Sequence, residues 1–382
     1  MFNESNKIKI SSWNEWDALK HVIVGRTDIG GMEPKPEPGM IVQPMIGASL
    51  DEWGPFPEDQ VERGTKEIEA FVKILEKRGI RVDRPTGIDP TQTVQTPDWE
   101  HEGLYSIMPP RDMLMPVGNE IIEATMSQRS RWFEFITLRP LLEQYFKEDP
   151  DFLWTAAPKP RLTDESFDMD YWDNYYNVWS EKEKLEATKL GKFKWTEKEP
   201  MFDAADAMRC GKDIFVQISS ATNLSGIDWL RRHLATRGLR VHEVSFNTMQ
   251  PWHIDTTTFT PREGLLFQNG AWMPHQEEFH ELFRMNDWEI VMCAPPGRDE
   301  SHELAGCSCY LGYNVFSLDP KTICVETAEK PLMDQLDSYG FDIVPVDFNE
   351  VSPFGGGLHC ATVDIFREGD CEDYFPKQIP GY

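Results

Sequence analysis

The sequence predicts an α/β fold built from one unit used several times, and three observations predict it. Short apolar alternations broken by turn residues recur as candidate hairpins, and amphipathic helical stretches fall between them. Several of those helices stop at a glycine that leads straight into a further apolar strand. Recurrence at roughly 40 to 60 residues argues for a radial or stacked arrangement of units, each a strand pair, a helix and a closing strand.

In chain order, an early strand is expected near Lys20–Gly25, and residues 28–60, rich in Pro, Gly and Met, read as loop. Helical periodicity over Glu67–Arg78 ends at Gly79, before Ile80-Arg81-Val82. Glycine fits there because the residue past a helix end commonly turns left-handed. A hairpin over Met113–Ala124 turns at Gly118-Asn119, and a helix is expected over Trp132–Phe146. The stretch 147–200 departs from the pattern. Within it, Tyr171, Trp172, Tyr175, Tyr176, Trp179, Phe193 and Trp195 stand among many charges, which predicts a surface insertion, either a lid or a packed excursion. The pattern then resumes with a hairpin over Ala207–Gln217 and a helix over Ile227–Arg237, stopped by Gly238. Hairpins over Thr258–Phe267 and Asn314–Val325 follow, with helices over Glu277–Met285 and Lys330–Ser338, the latter running into Tyr339-Gly340-Phe341.

The chain has 382 residues and a formal net charge of −27. A polyanionic surface opposes nucleic acid and anionic membranes and suits a cationic small substrate. Seven cysteines in a chain of this size form no disulfide framework, and Cys307-Ser308-Cys309 lacks the spacing of a zinc site. The N-terminus is polar, and no apolar run approaches the roughly 20 residues that cross a bilayer. A soluble, reduced, cytoplasmic protein is expected.

The chemistry is concentrated in three short segments. Gly355-Gly356-Gly357-Leu358-His359-Cys360 places a thiol behind three glycines, which let backbone approach a ligand closely. Such a cysteine is either a structural core residue or a nucleophile presented at a pocket floor. Trp252-His253-Ile254-Asp255 pairs an imidazole with a carboxylate two residues on, and Phe202-Asp203-Ala204-Ala205-Asp206 supplies further acids. Asp203, His253 and Cys360 thus have the composition of an orienter, base and nucleophile set.

With these segments in this order, the chain resembles the amidinotransferases, which move an amidino group from arginine to an amine. The likeness also takes in Trp13-Asn14-Glu15-Trp16-Asp17, Pro110-Arg111-Asp112, Gly118 to Ala124, Arg129-Ser130-Arg131 and Ala157-Pro158-Lys159-Pro160. It implies a five-bladed α/β propeller of ββαβ modules with pseudo-fivefold symmetry. The early strand would close the ring with later chain, making 1–382 a single domain.

The resemblance also implies residue roles. Cys360 would attack the guanidino carbon, His253 would serve as acid and base, and Asp203 would hold His253. Asp112 and Asp255 would clamp the guanidino group, with Asp206 a third acid. His359, beside Cys360, stays open as a participant, although neighbours on an extended strand point oppositely. No metal and no organic cofactor is required, and the partners are arginine and an acceptor amine. A homodimer is allowed for, although nothing in the sequence fixes the oligomeric state.

One departure stands out. Where members acting on glycine carry an arginine for the substrate carboxylate, this chain reads Asn269-Gly270-Ala271-Trp272-Met273-Pro274. An indole cannot pair with a carboxylate as a guanidinium does. A longer or less polar acceptor than glycine, as in natural-product pathways, is therefore expected, with Arg262 or Cys307-Ser308 as substitutes for the missing cation. Two alternatives remain: a guanidine hydrolase such as an arginine deiminase, and a non-catalytic guanidine-binding protein.

Overall fold

The computed structural model describes residues 8–33, 37–38, 54–249, 251–298 and 308–382. Among them are five three-stranded sheets of one construction. A first strand pairs antiparallel with a second, a helix crosses over, and a third strand pairs parallel with the second.

The first blade joins the two ends of the chain. Thr362–Glu368 pairs antiparallel with Ala18–Val24, the helix Glu58–Lys77 follows, and Arg81–Asp83 completes the sheet. The second comprises Leu114–Val117, Glu120–Glu123, the helix Arg139–Glu148 and Leu153–Ala156. The third comprises Ala207–Cys210, Asp213–Gln217, Leu224–Ala235 and Arg240–Val244. Thr258–Arg262, Leu265–Gln268, Glu277–Met285 and Glu289–Met292 form the fourth. The fifth is Phe316–Asp319, Thr322–Glu326, Lys330–Ser338 and Asp342–Val346. This is the five-bladed α/β propeller, closed by the early strand as expected.

Burial explains the order of strands within a blade. First strands such as Ala207–Cys210 are buried throughout, whereas third strands such as Asp342–Val346 alternate with solvent. Helices cover the sheets with apolar residues at three- and four-residue spacing: Ile68, Phe71 and Leu75 in the first blade, Ile227, Leu230 and Leu234 in the third. Each such side chain contributes about 1.5–3 kcal/mol on burial. The helix stops behave as expected, since Gly79, Gly238 and Gly340 all take positive φ.

The first helix begins at Glu58 rather than Glu67, inside the stretch read as loop, and two further elements differ from the sequence reading. Residues 132–138 are not α-helix; short 3-10 turns occupy Arg129–Arg131 and Glu134–Thr137, and the helix begins at Arg139 with Pro140 in its first turn. Proline tolerates that position because its missing N–H would have no partner there. The excursion also begins later than 147, because Leu153–Ala156 is the third strand of the second blade. Beyond it, Phe167, Tyr171, Tyr175, Phe193 and Trp195 are buried, so the insertion packs down on its aromatic side.

A segment near the N-terminus straps three blades together. Ser11 bonds the backbone at Ile365, Ser12 exchanges two hydrogen bonds with Gly118 (3.0 and 2.7 Å), and Gly211 donates to the Trp13 carbonyl (2.9 Å). Gly118 has φ +60°, and a Cβ there would lie 2.2 Å from the Trp13 ring. Gly238, at φ +74°, has open space around it. Gly238→Ala is therefore expected to cost only the backbone conformation, about 1 kcal/mol, while Gly118→Ala adds overpacking of about 1–3 kcal/mol. Urea denaturation compares the two, and equal losses would contradict the role given to the strap.

Candidate active site

The turns that precede the first strands pack against one another from blade to blade. Asp112 ends the turn Pro110–Asp112, Asp206 ends Ala204–Asp206, and Asp255 lies in Ile254–Thr256. Asn314 follows Cys309–Tyr313, and Cys360 stands two residues before Thr362–Glu368. Each residue occupies a similar place in its module, which is how positions far apart in sequence become neighbours.

Cys360 is buried in a turn rather than on an extended strand, with Ala361 and Thr362 bonding back to the carbonyls of Gly357 and His359. Asn314 locks that turn. Its Oδ1 accepts from the backbone N–H of His359 (2.8 Å) and of Cys360 (3.0 Å), and its Nδ2 lies 3.3 Å from Sγ. Glycine is needed alongside: Gly356 has φ +141°, and a Cβ on it would sit 2.6 Å from the sulfur.

His253 follows Trp252 at the start of the fourth blade's turn, with Nε2 3.2 Å from Asp203 Oδ2 and Nδ1 3.6 Å from Asp112 Oδ1. It also shares a side-chain hydrogen bond with Cys360. Asp255 Oδ2 lies 3.5 Å from Sγ and 2.8 Å from His359 Nδ1. Asp206 Oδ2 accepts from the hydroxyls of Ser219 and Thr222, both at 2.6 Å. The structure thus brings Asp112, Asp203, Asp206, His253, Asp255 and Cys360 into one buried cluster.

Other expected residues lie elsewhere. Arg262 is at the far end of its strand, donating to the Tyr339 carbonyl (3.0 Å) and stacking on Phe341, so it does not substitute for a missing cation at the site. Ser308 is exposed and caps the turn at Tyr310. Cys307 falls outside the described residues. Trp272 is half-buried against the fourth blade's apolar cluster, edge-on to Tyr310 at 4.6 Å.

The electrostatics follow from burying like charges together. Burial and the neighbouring Asp255 push the Cys360 thiol up to about 12, although its hydrogen bond with His253 acts the other way. Burial works to lower the pKa of His253, but Asp112, Asp203, the thiol and Asp206 outweigh it and the net shift is well upward. Asp112 is raised by burial despite His253 and Arg131, and Asp206 is raised to about 7 by burial. Both shifts favour a neutral thiol beside a charged imidazole. Asp112, His253 and Cys360 also offer three ligating atoms within 4.8 Å of one another.

Three residues of the site had no role in the sequence reading. Arg131 Nη1 donates to Asp112 Oδ2 at 2.6 Å and its Nε to Glu134 at 2.9 Å, which fixes Asp112. Asn314 is the second, and its signal was its equivalence to Asp112 and Cys360 within the repeat. The third is Glu15, whose Oε2 lies 3.2 Å from His359 Nε2.

No family model matches the chain. Among curated proteins it is similar to mitochondrial glycine amidinotransferase of Gallus gallus, 39% identical over 374 residues, covering 96% of this chain and 85% of that one. It is also similar to L-arginine:L-lysine amidinotransferase of Pseudomonas savastanoi pv. phaseolicola, 36% identical over 368 residues and 96% of each chain. Among solved structures, an amidinotransferase of the saxitoxin biosynthetic pathway from Microseira wollei superposes with a TM-score of 0.83 at 34% identity, covering 96% of this chain and 99% of that one. At this identity over nearly the whole length, the chain belongs to the amidinotransferase family.

Proposed function

We propose that the protein transfers the amidino group of L-arginine to an acceptor amine through a covalent amidino-cysteine on Cys360. The observation that carries this reading is a set of open carboxylate oxygens around the thiol. Oδ1 of Asp112, Asp203, Asp206 and Asp255 is buried in each case without a hydrogen-bond partner among the described residues. Buried acceptors left open are costly, and a planar cation with five N–H donors satisfies several at once. Asp112 and Asp255 clamp the guanidino group in this reading, and Asp206 is a third contact.

The charge balance supplies the trigger. Before substrate binds, the thiol is protonated and His253 is charged. One cation arriving among the carboxylates stabilises the thiolate, and because His253 is already charged the thiol proton is released to solvent as the cation enters. Sγ then bonds to the central guanidino carbon. His253 gives its proton to the departing nitrogen, the C–N bond breaks, and ornithine leaves. An acceptor amine attacks the same carbon, neutral His253 takes its proton, and the C–S bond breaks to restore the thiolate. Asp203 holds the ring throughout.

The acceptor in this reading is not glycine, because Trp272 replaces in sequence the arginine that members acting on glycine carry, and its indole, packed on apolar side chains and Tyr310, offers no cation for a carboxylate. The two curated relatives differ in the acceptor that their names state, so similarity alone makes no choice between them. A cytoplasmic setting also belongs to the reading.

Product analysis with arginine and a panel of amines tests the reaction: ornithine and an amidinated amine are expected, whereas citrulline and ammonia would mean hydrolysis. Cys360→Ser is expected to abolish both products in a folded protein, because a hydroxyl forms its anion far less readily than a thiol. Substantial turnover by this variant would remove Cys360 from the mechanism. For the acceptor, Trp272→Arg is expected to raise kcat/KM for glycine by about ten- to a hundred-fold, a charge-assisted contact of roughly 1.5–3 kcal/mol. A wild-type enzyme that already prefers glycine over a longer diamine would overturn the inference from Trp272.

A further inference from the structure

We propose that His359 is a positioning residue: held as a charged ring between Glu15 and Asp255, it offsets the charge of Asp255 beside the Cys360 thiol and keeps Asp255 Oδ1 open to the substrate. The proposal rests on the reading of Cys360 as nucleophile, and it gives the Trp13 to Asp17 motif a part in the reaction.

Geometry carries it. His359 Nδ1 is 2.8 Å from Asp255 Oδ2, and Nε2 is 3.2 Å from Glu15 Oε2. A neutral imidazole donates from one nitrogen only, so two carboxylate acceptors on opposite sides of the ring select the imidazolium. Glu15 is a fixed anchor, because Arg209 grips it through Nε (2.8 Å) and Nη2 (2.7 Å). The strap that crosses three blades thus delivers a carboxylate to the propeller axis.

The groups around the ring come from every side. Asp255 faces it from the fourth blade, Glu15 from the strap, and the Phe316 ring from the fifth blade at 6.4 Å. Arg111, from the turn before the second blade, is occupied by Asp364 at 2.7 Å and lies 3.8 Å from Glu15. Burial and Arg111 both work to lower the pKa of His359, yet its bonds to Asp255 and Glu15 leave it raised. Around the sulfur stand Asp255, His253, Asp112 and Asn314.

The consequence is electrostatic. Asp255 Oδ2 lies 3.5 Å from Sγ, where a bare negative charge opposes the thiolate. Paired with an imidazolium on the same oxygen, that charge is largely cancelled. His359 also occupies Oδ2, so Oδ1 remains the atom that meets a guanidino N–H.

The test reads the thiol without arginine, so it does not depend on transfer. Iodoacetamide labelling of Cys360 is followed against pH by mass spectrometry of its peptide, in wild type and in His359→Asn. The variant loses the positive charge, so its thiol pKa is expected to rise by about one unit, making labelling at pH 8 about ten-fold slower. Adding Asp255→Asn removes the uncompensated charge, and the double variant is expected to label at least as fast as wild type. A merely structural role for His359 would not be reversed in this way. If folded His359→Asn keeps the wild-type profile, or the double variant stays as slow as the single one, the proposal is wrong. Should His359→Asn fail to fold, His359→Gln carries the same comparison. Loss of the transfer reading would appear in product analysis and not in this profile.

Discussion

The pairing of Ala18–Val24 with Thr362–Glu368 is the constraint on which the rest depends. It joins the chain's two ends in one sheet, with Val24 opposite Thr362 and Gly25 donating to the Ala361 carbonyl at 2.8 Å. That last bond lies one residue from Cys360. Arg111 then donates its backbone N–H to the Cys360 carbonyl at 3.3 Å, tying the thiol's turn to the second blade. Closing the ring and placing the thiol are thus one structural event. Both strands are buried on successive residues where they meet, His21–Val24 against Thr362–Ile365, so the seam lies inside the protein.

A second constraint is charge. Several carboxylates are buried near the axis, and burying any of them unpaired would cost several kcal/mol. The fold separates them into two groups. Asp364 and Glu15 are paid for by Arg209, Arg367 and Arg111, with contacts such as Arg209 to Asp364 at 2.6 Å and Arg367 to Asp364 at 2.7 Å. Burial would raise the pKa of Asp364, but these arginines hold it well below the usual carboxylate range. Around the thiol the compensation is incomplete: Arg131 holds one oxygen of Asp112, and His253 and His359 hold one oxygen each of Asp203 and Asp255. The second oxygens have no hydrogen-bond partner among the described residues, and the proposed guanidinium would supply one.

Much of this was legible in the sequence, for physical reasons that can be named. The strand–helix–strand repeat showed in the periodicity because each blade buries one face of a helix and turns at residues such as Gly118 and Gly238. The acids, the histidine and the thiol stood in short segments whose composition already pointed to nucleophilic chemistry. What stayed hidden depends on long-range pairing. Asn314 is an ordinary polar residue until the ring brings it to Cys360, 46 positions away. Glu15 meets His359 across 344 positions, through a strap that has no periodicity of its own. The start of the insertion was misplaced because Leu153–Ala156 is a short, half-exposed strand with a weak apolar signal. Arg262 was considered for the site because sequence distance from His253 is small, whereas a strand carries it to the opposite end of the blade.

The central claim is that Cys360 carries the amidino group between donor and acceptor, and trapping that intermediate tests it most directly. Wild-type protein is mixed with arginine and no acceptor, quenched in acid, and weighed intact before digestion. The account predicts one added amidino group per chain, located on the peptide containing Cys360 and lost when an acceptor amine is supplied. An unmodified Cys360 peptide under conditions where transfer proceeds, together with intersecting initial-rate plots, would show that the group passes directly between substrates and would contradict the account.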